Sequence, residues 1–300
     1  VIREGDLVRL ELVSAKPGLA GVDISLTAPR AIRWSEIQTE AGSVAAIDLA
    51  GQVSVTTGAG RVDLDRIDGE CNVRTGGGDL QVGRIGGAFR CYTGGGAIRI
   101  LSVGGLAQLE TAGGDISLED AGGSVSAVTG GGSIHVGRSR SSVSARTSAG
   151  LIDVRQAGGP VVADNSGGVI EVDSAKGAQC ASTAGAIRLK NVAGNLLASA
   201  RSGSILADLL GGQAFADSTL TASLGDVTVL IPPSISMRII ARNESAGARG
   251  GIFSDFPEIR VKLSGSGMPG PAMAEGVLNG GGPILHINVS SGSIFLRRHQ

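Results

Sequence analysis

Apolar and polar residues alternate along most of this chain in short runs, and the runs recur at a fixed distance. Residues 75–82 read Thr-Gly-Gly-Gly-Asp-Leu-Gln-Val, and eighteen residues later the chain reads Thr-Gly-Gly-Gly-Ala-Ile-Arg-Ile. After eighteen more it reads Thr-Ala-Gly-Gly-Asp-Ile-Ser-Leu. An apolar period of two places alternate side chains on one face of a β-strand, whereas a helix would show a period of 3.6. The glycine before each apolar pair gives a natural index: Gly42, Gly60, Gly78, Gly96, Gly114, Gly132, Gly150, Gly168, Gly185, Gly203 and Gly225. From Gly42 to Gly168 every interval is eighteen residues, then seventeen and eighteen, and only the step to Gly225 is longer.

Two residues after these glycines stand Val44, Val62, Leu80, Ile98, Ile116, Ile134, Ile152, Ile170, Ile187, Ile205 and Val227. Four residues after them come Leu64, Val82, Ile100, Leu118, Val136, Val154, Val172 and Leu189. Both columns are predicted to point inward, and the residues between them, such as Asp63, Arg99, His135 and Asp153, outward. A second glycine column lies nine residues after the first, as in Gly51, Gly69, Gly87, Gly105 and Gly123, with Ser141 the exception. It precedes its own alternating pairs, among them Val53 and Val55, Cys71 and Val73, and Phe89 and Cys91.

Each repeat therefore holds two strands and two glycine turns, which predicts an all-β fold, a parallel β-solenoid with 18-residue coils. Glycine is expected at the turns for two reasons: positive φ, and stacking too close to admit a side chain. Three residues before the first glycine column runs a polar ladder of Thr57, Thr75, Thr93, Thr111, Thr129 and Thr147, continued by Asn165 and Ser182. It is read as a structural corner whose hydroxyls satisfy turn amides and one another. The structural ladders are thus the glycines Gly60 to Gly168, these threonines, and the Ile98, Ile116, Ile134, Ile152 and Ile170 column.

The ends depart from the pattern. Residues 1–34 are expected to form cap strands, with Val8, Leu10 and Leu12 on one face, Val22, Ile24 and Leu26 on another, and Pro29 and Trp34 leading into the first coil. Residues 35–230 are the solenoid, about eleven coils long. Residues 231–300 open with Pro232 and Pro233, which cannot both serve a central ladder. Strands are expected at Ser236–Arg242 and Glu258–Ser264, separated by an irregular stretch over 243–257 and followed by a loop over 265–276. The register returns at Leu285, Ile287, Gly292, Ile294 and Leu296, so the region is expected to end on a final rung.

Composition fits this picture. Of 300 residues 50 are Gly and 42% are hydrophobic, with aromatic residues at 2%. No Gly-X-Y triplet period is present, which argues against collagen, and the apolar content argues against a disordered tract. The net charge of −1 draws the chain to neither nucleic acid nor an anionic membrane. The apolar runs fall far short of the roughly 20 residues that span a bilayer, so no membrane insertion is expected. Val1 stands where a start methionine would, and any export signal is expected to be missing from this sequence.

No catalytic, cofactor-binding or metal site emerges. An aspartate follows the index glycine at Asp79, Asp115 and Asp226, but Arg61, Ala97, Ser133, Leu151 and Ala186 hold that position elsewhere, so the recurrent ligand of a calcium-binding β-roll is missing. Cys71, Cys91 and Cys180 lie in inward columns, and the first two are about 8 Å apart on the diagonal by strand spacing, beyond bridging range. They read as buried thiols acting as small hydrophobes. His135, His286 and His299 show no metal-ligand spacing.

The glycine-turn coils, the exit Leu-Gly-Asp-Val-Thr-Val-Leu-Ile-Pro-Pro-Ser and the closing segment Leu278–Arg298 resemble the bacterial adhesin-like β-solenoid family, a glycine-rich domain of unknown function. The resemblance spans nearly the whole chain and implies an exported or envelope-associated protein. It supplies no catalytic residues. The expectation is a non-enzymatic extracellular or cell-envelope structural protein without cofactors, self-associating into a homo-oligomer or filament through its ends or edges. The alternative is a ligand-binding or regulatory envelope module that uses the irregular region from Ile231 to Gly282.

Overall fold

The computed structural model describes residues 2–4, 7–9, 25–27, 29–211, 215–245, 251–263 and 271–299. The fold is all-β, a parallel β-solenoid of about eleven stacked coils. Among the described residues fifteen strands form one long sheet and thirteen the other, with a separate antiparallel pair at Ile2–Glu4 and Leu7–Arg9. Leu10, Leu12, Val22 and Ile24 of the expected cap lie outside the described residues.

Successive coils pair in register with an offset of eighteen, so that Ile98 sits between Leu80 and Ile116, and Leu109 between Cys91 and Ala127. Both predicted inward columns are buried along their length, as are the paired residues of the other sheet. The resulting core is one continuous aliphatic stack. Each coil is too small to bury its own apolar residues, and stability comes from its neighbours.

A third inward column was not anticipated. Seven residues after the index glycine, Ile67, Ile85, Val103, Ala121, Ser139 and Ala157 are all buried. An odd offset points outward on a straight strand, but the ladder skips a residue between Ile100↔Leu118 and Ser102↔Asp120, which marks a bulge that restores the inward face. In the first two coils this bulge takes left-handed φ at Asp48 (59°) and Arg66 (52°).

The glycine turns owe more to crowding than to φ. Gly60, Gly225 and Gly292 have φ of 140°, 144° and 146°, but most index glycines lie outside the left-handed range. At Gly78 a Cβ would lie 1.7 Å from the Gly60 carbonyl oxygen, a contact with backbone that no rotamer relieves. Ser141, where the second glycine column lapses, is compensated locally: the buried Ser139 hydroxyl donates to the Gly123 carbonyl at 3.0 Å and accepts the Ser141 amide at 3.2 Å.

The C-terminal region is more ordered than expected. Ile252–Ser254 forms a strand inside the stretch read as irregular, and Ala272–Leu278 is a strand where a loop was expected; residues 264–270 lie outside the described residues. The returning rung is Ile284–Ser291 with Ile294–Arg298, and Leu285, Ile287, Ile294 and Leu296 are buried as predicted. It is not the last rung of the stack. Ile284–Ser291 is inserted between Ser218–Leu224 and Met237–Asn243, parallel to both, and Ile294–Arg298 between Val227–Ile231 and Ile252–Ser254. Beyond Met237–Asn243 the long sheet ends in two antiparallel additions, Ala272–Leu278 and then Arg260–Leu263.

Candidate functional site

The threonine, glycine and isoleucine columns stack rung upon rung in the solenoid. The threonines from Thr57 to Thr147 are buried at one corner of the coil. Thr111 Oγ1 donates to the Gly96 carbonyl of the preceding coil at 2.9 Å and accepts the amide of Gly114, in its own coil, at 3.2 Å. Thr93 and Thr129 repeat both bonds. Asn165 substitutes its amide group for the hydroxyl, bonding the Gly150 carbonyl and the Gly168 amide. The hydroxyls thus satisfy the turns as expected, but their partners are backbone groups of their own and the preceding coil and not one another. Strand spacing keeps successive hydroxyls too far apart to bond.

The scattered aspartates after the index glycines have the same kind of task. Asp79 Oδ1 accepts the Ala97 amide at 2.8 Å, Asp115 the Ser133 amide at 2.7 Å and Asp226 the Ser293 amide at 2.7 Å. Each carboxylate bridges to the next rung, where a serine hydroxyl serves equally well at Ser133. Among the described residues no group of three or more His, Cys, Asp or Glu is arranged to hold a metal ion.

The three cysteines are buried and unbridged. Burial pushes the thiols of Cys71 and Cys180 up to about 12 and that of Cys91 higher still, so all three are neutral and unreactive in the folded protein. On the outer face of the shorter sheet, His135 Nδ1 and Asp153 Oδ2 are 2.8 Å apart on neighbouring rungs. The remaining histidine contact of this kind is His299 Nε2 to Asp208 Oδ1 at 3.0 Å.

In the C-terminal region, the segment Ser254–Arg260 turns two of its residues inward. Phe256 and Ile259 are buried, Asp255 pairs with Arg297 at 2.7 Å, and Phe253 stacks on Phe295 with centroids 5.3 Å apart. Arg297 lies over the Phe295 ring and Arg298 over Phe256, each at 5.4 Å. These contacts close the end of the apolar stack.

A surface groove lies at the bulged corner. A groove of about 460 Å³ follows the solenoid axis there, lined by arginines Arg30, Arg66, Arg84 and Arg140, by Asp68 and Asp120, and by a floor that includes Gly86, Gly104 and Gly122. The floor carries no side chains because it cannot: a Cβ at Gly104 would meet the Gly86 carbonyl oxygen at 2.1 Å. Arg30 pairs with Asp68 at 2.8 Å, and Arg66 pairs with Asp48 and Asp65, its hydrogen bond holding the Asp48 carboxyl below its usual value. Among the described residues, Arg84 and Arg140 form no ion pair. Asp120 Oδ1 is buried without a hydrogen-bond partner, its nearest cation being Arg138 at 3.9 Å.

The groove went unread in the sequence. Two of its arginines, Arg66 and Arg84, stand six residues after an index glycine, but Ser102 and Asp120 continue that column, and Arg30 and Arg140 lie outside it. Searches of the chain against known protein families, curated proteins and solved structures find no match. No helix among the described residues is long and apolar enough to cross a membrane.

Proposed function

We propose that this protein is a non-enzymatic structural component of the cell envelope or extracellular space, an adhesin-like rod that presents its long faces to a surface partner. The supporting observation is the continuity of the stack: fifteen strands in the long sheet at about 4.8 Å spacing make a rod on the order of 65 Å long. The resemblance to the adhesin-like family points the same way. A rod of this kind gains rigidity from unbroken ladders and offers repetitive side faces rather than a cleft.

The two ends differ, and this shapes the self-association we infer. At the C-terminal side the outermost strand of the long sheet is Arg260–Leu263, whose exposed Arg260 and Lys262 discourage edge pairing. At the other side the outermost solenoid strands among the described residues are Trp34–Thr39 and Val44–Leu49, and Trp34 is half exposed. Self-association therefore runs through the N-terminal sides of two copies, a two-fold contact that closes as a dimer.

Immunogold labelling of native cells, with electron microscopy of the purified protein, tests this reading. Label at the cell surface, and single or paired rods of the stated length, are expected. Label confined to the cell interior would overturn it.

A further inference from the structure

The groove at the bulged corner combines two chemistries that few ligands satisfy together. Arg84 and, three coils further on, Arg140 flank the stretch around Asp120, a separation of about 14 Å at the strand spacing. Both offer guanidinium groups, suited to carboxylates, sulfates or phosphates. Between them lie the glycine floor, Ser102 and Asp120. The Asp120 side chain is 39% exposed, and although its Oδ1 atom is buried, the rest of the carboxylate faces the groove as an acceptor. A carboxylate oxygen pairs only with an O–H or N–H group. A ligand made of anionic groups alone would meet repulsion there.

From this juxtaposition we propose that the groove binds an extended acidic polysaccharide, with acidic groups on Arg84 and Arg140 and a sugar hydroxyl donating to Asp120. The bare floor lets a sugar chain lie against the backbone along the rod axis. Nucleic acid is disfavoured because none of the lining residues is aromatic, so bases would have no stacking platform. The binding role rests on the adhesive reading above.

The test is isothermal titration of the full chain with an alginate hexasaccharide, maltohexaose, polyphosphate and oligo-dT. Salt-sensitive binding of the alginate oligomer, and none of maltohexaose, is expected. R84Q/R140Q should weaken it at least tenfold while circular dichroism stays unchanged, and R74Q/R99Q, on the outer sheet faces, should leave it intact. D120N should weaken alginate binding while sparing or strengthening that of polyphosphate. The proposal is overturned by no alginate binding, by equal affinity in R84Q/R140Q, by D120N weakening both ligands alike, or by tighter binding of polyphosphate or oligo-dT. Rods at the cell surface without alginate affinity would remove this inference and leave the rod standing. Alginate binding by a protein confined to the cell interior would do the reverse.

Discussion

The hydroxyl of Thr93 donates to the carbonyl of Gly78, one coil earlier, at 2.9 Å, and so ties the corner of one rung to the turn of the next. Because Thr93 also accepts the amide of Gly96, replacing it with valine keeps the shape and removes both bonds. Thr93→Val should destabilise the protein by about 1–3 kcal/mol, the range for leaving buried polar groups unsatisfied. Thr93→Ser should retain most of the stability. Urea unfolding of the two variants makes the comparison, and equal midpoints would show that the corner carries no energy.

Neighbouring glycines should differ sharply in tolerance. Gly78 has no room for a Cβ, whereas a Cβ at Gly77 would meet nothing within 4 Å. Gly78→Ala is expected to lower the melting temperature steeply or prevent folding. Gly77→Ala should be neutral or raise stability by up to about 1 kcal/mol, by restricting the unfolded chain. Thermal melts of both would decide whether crowding or flexibility explains the glycine runs.

The inward register can be tested at two adjacent residues. Ile116 is buried, and Ser117 faces outward between Arg99 and His135 on neighbouring rungs. Ile116→Asp places a charge in the continuous aliphatic stack and should abolish folding. Ser117→Asp should change stability by no more than about 0.5 kcal/mol. Soluble expression and circular dichroism read both outcomes.

The buried thiols imply a window of alkaline instability. Burial raises the thiols from their ordinary 9.0 to about 12 at Cys71 and Cys180. Below pH 9 folded and unfolded chains are equally protonated and this contribution is intact. As pH rises from there toward 12 the unfolded chain loses thiol protons that the folded chain keeps, and stability falls. Replacing the cysteines with alanine should flatten that decline in denaturation midpoints measured between pH 8 and 11. A thiol reagent at pH 8 should label the unfolded protein and not the folded one.

Much of the solenoid was legible because a period of eighteen repeats both the apolar pairs and the crowded turns. The third inward column escaped because Ile67, Ile85 and Val103 sit at an odd offset, and only a backbone bulge turns them in. The strand Ala272–Leu278 was hidden by its own packing: Gly276, which reads as a loop residue, is where a Cβ would meet Ile259 at 2.8 Å. Leu285 and Ile294 announced one more coil, but nothing in a one-dimensional pattern says between which neighbours a coil will be stacked. Of the groove arginines only Arg66 and Arg84 stand eighteen residues apart, and the corner that gathers them with Arg30 and Arg140 exists only once the bulge is known.

The insertion of residues 284–298 between earlier strands separates the order of assembly from the order of the chain. Coils up to Val227–Ile231 can be added one upon another as the polypeptide emerges, each templated by the last. Met237–Asn243 cannot take its final place by the same rule, since its neighbour toward the solenoid lies some forty residues further along the chain. Growth by simple accretion halts at Ile231, and Met237–Asn243 waits for a segment made after it. The fold thus delays sealing its core until that later segment has arrived, which turns a topological detail into a checkpoint on its own synthesis.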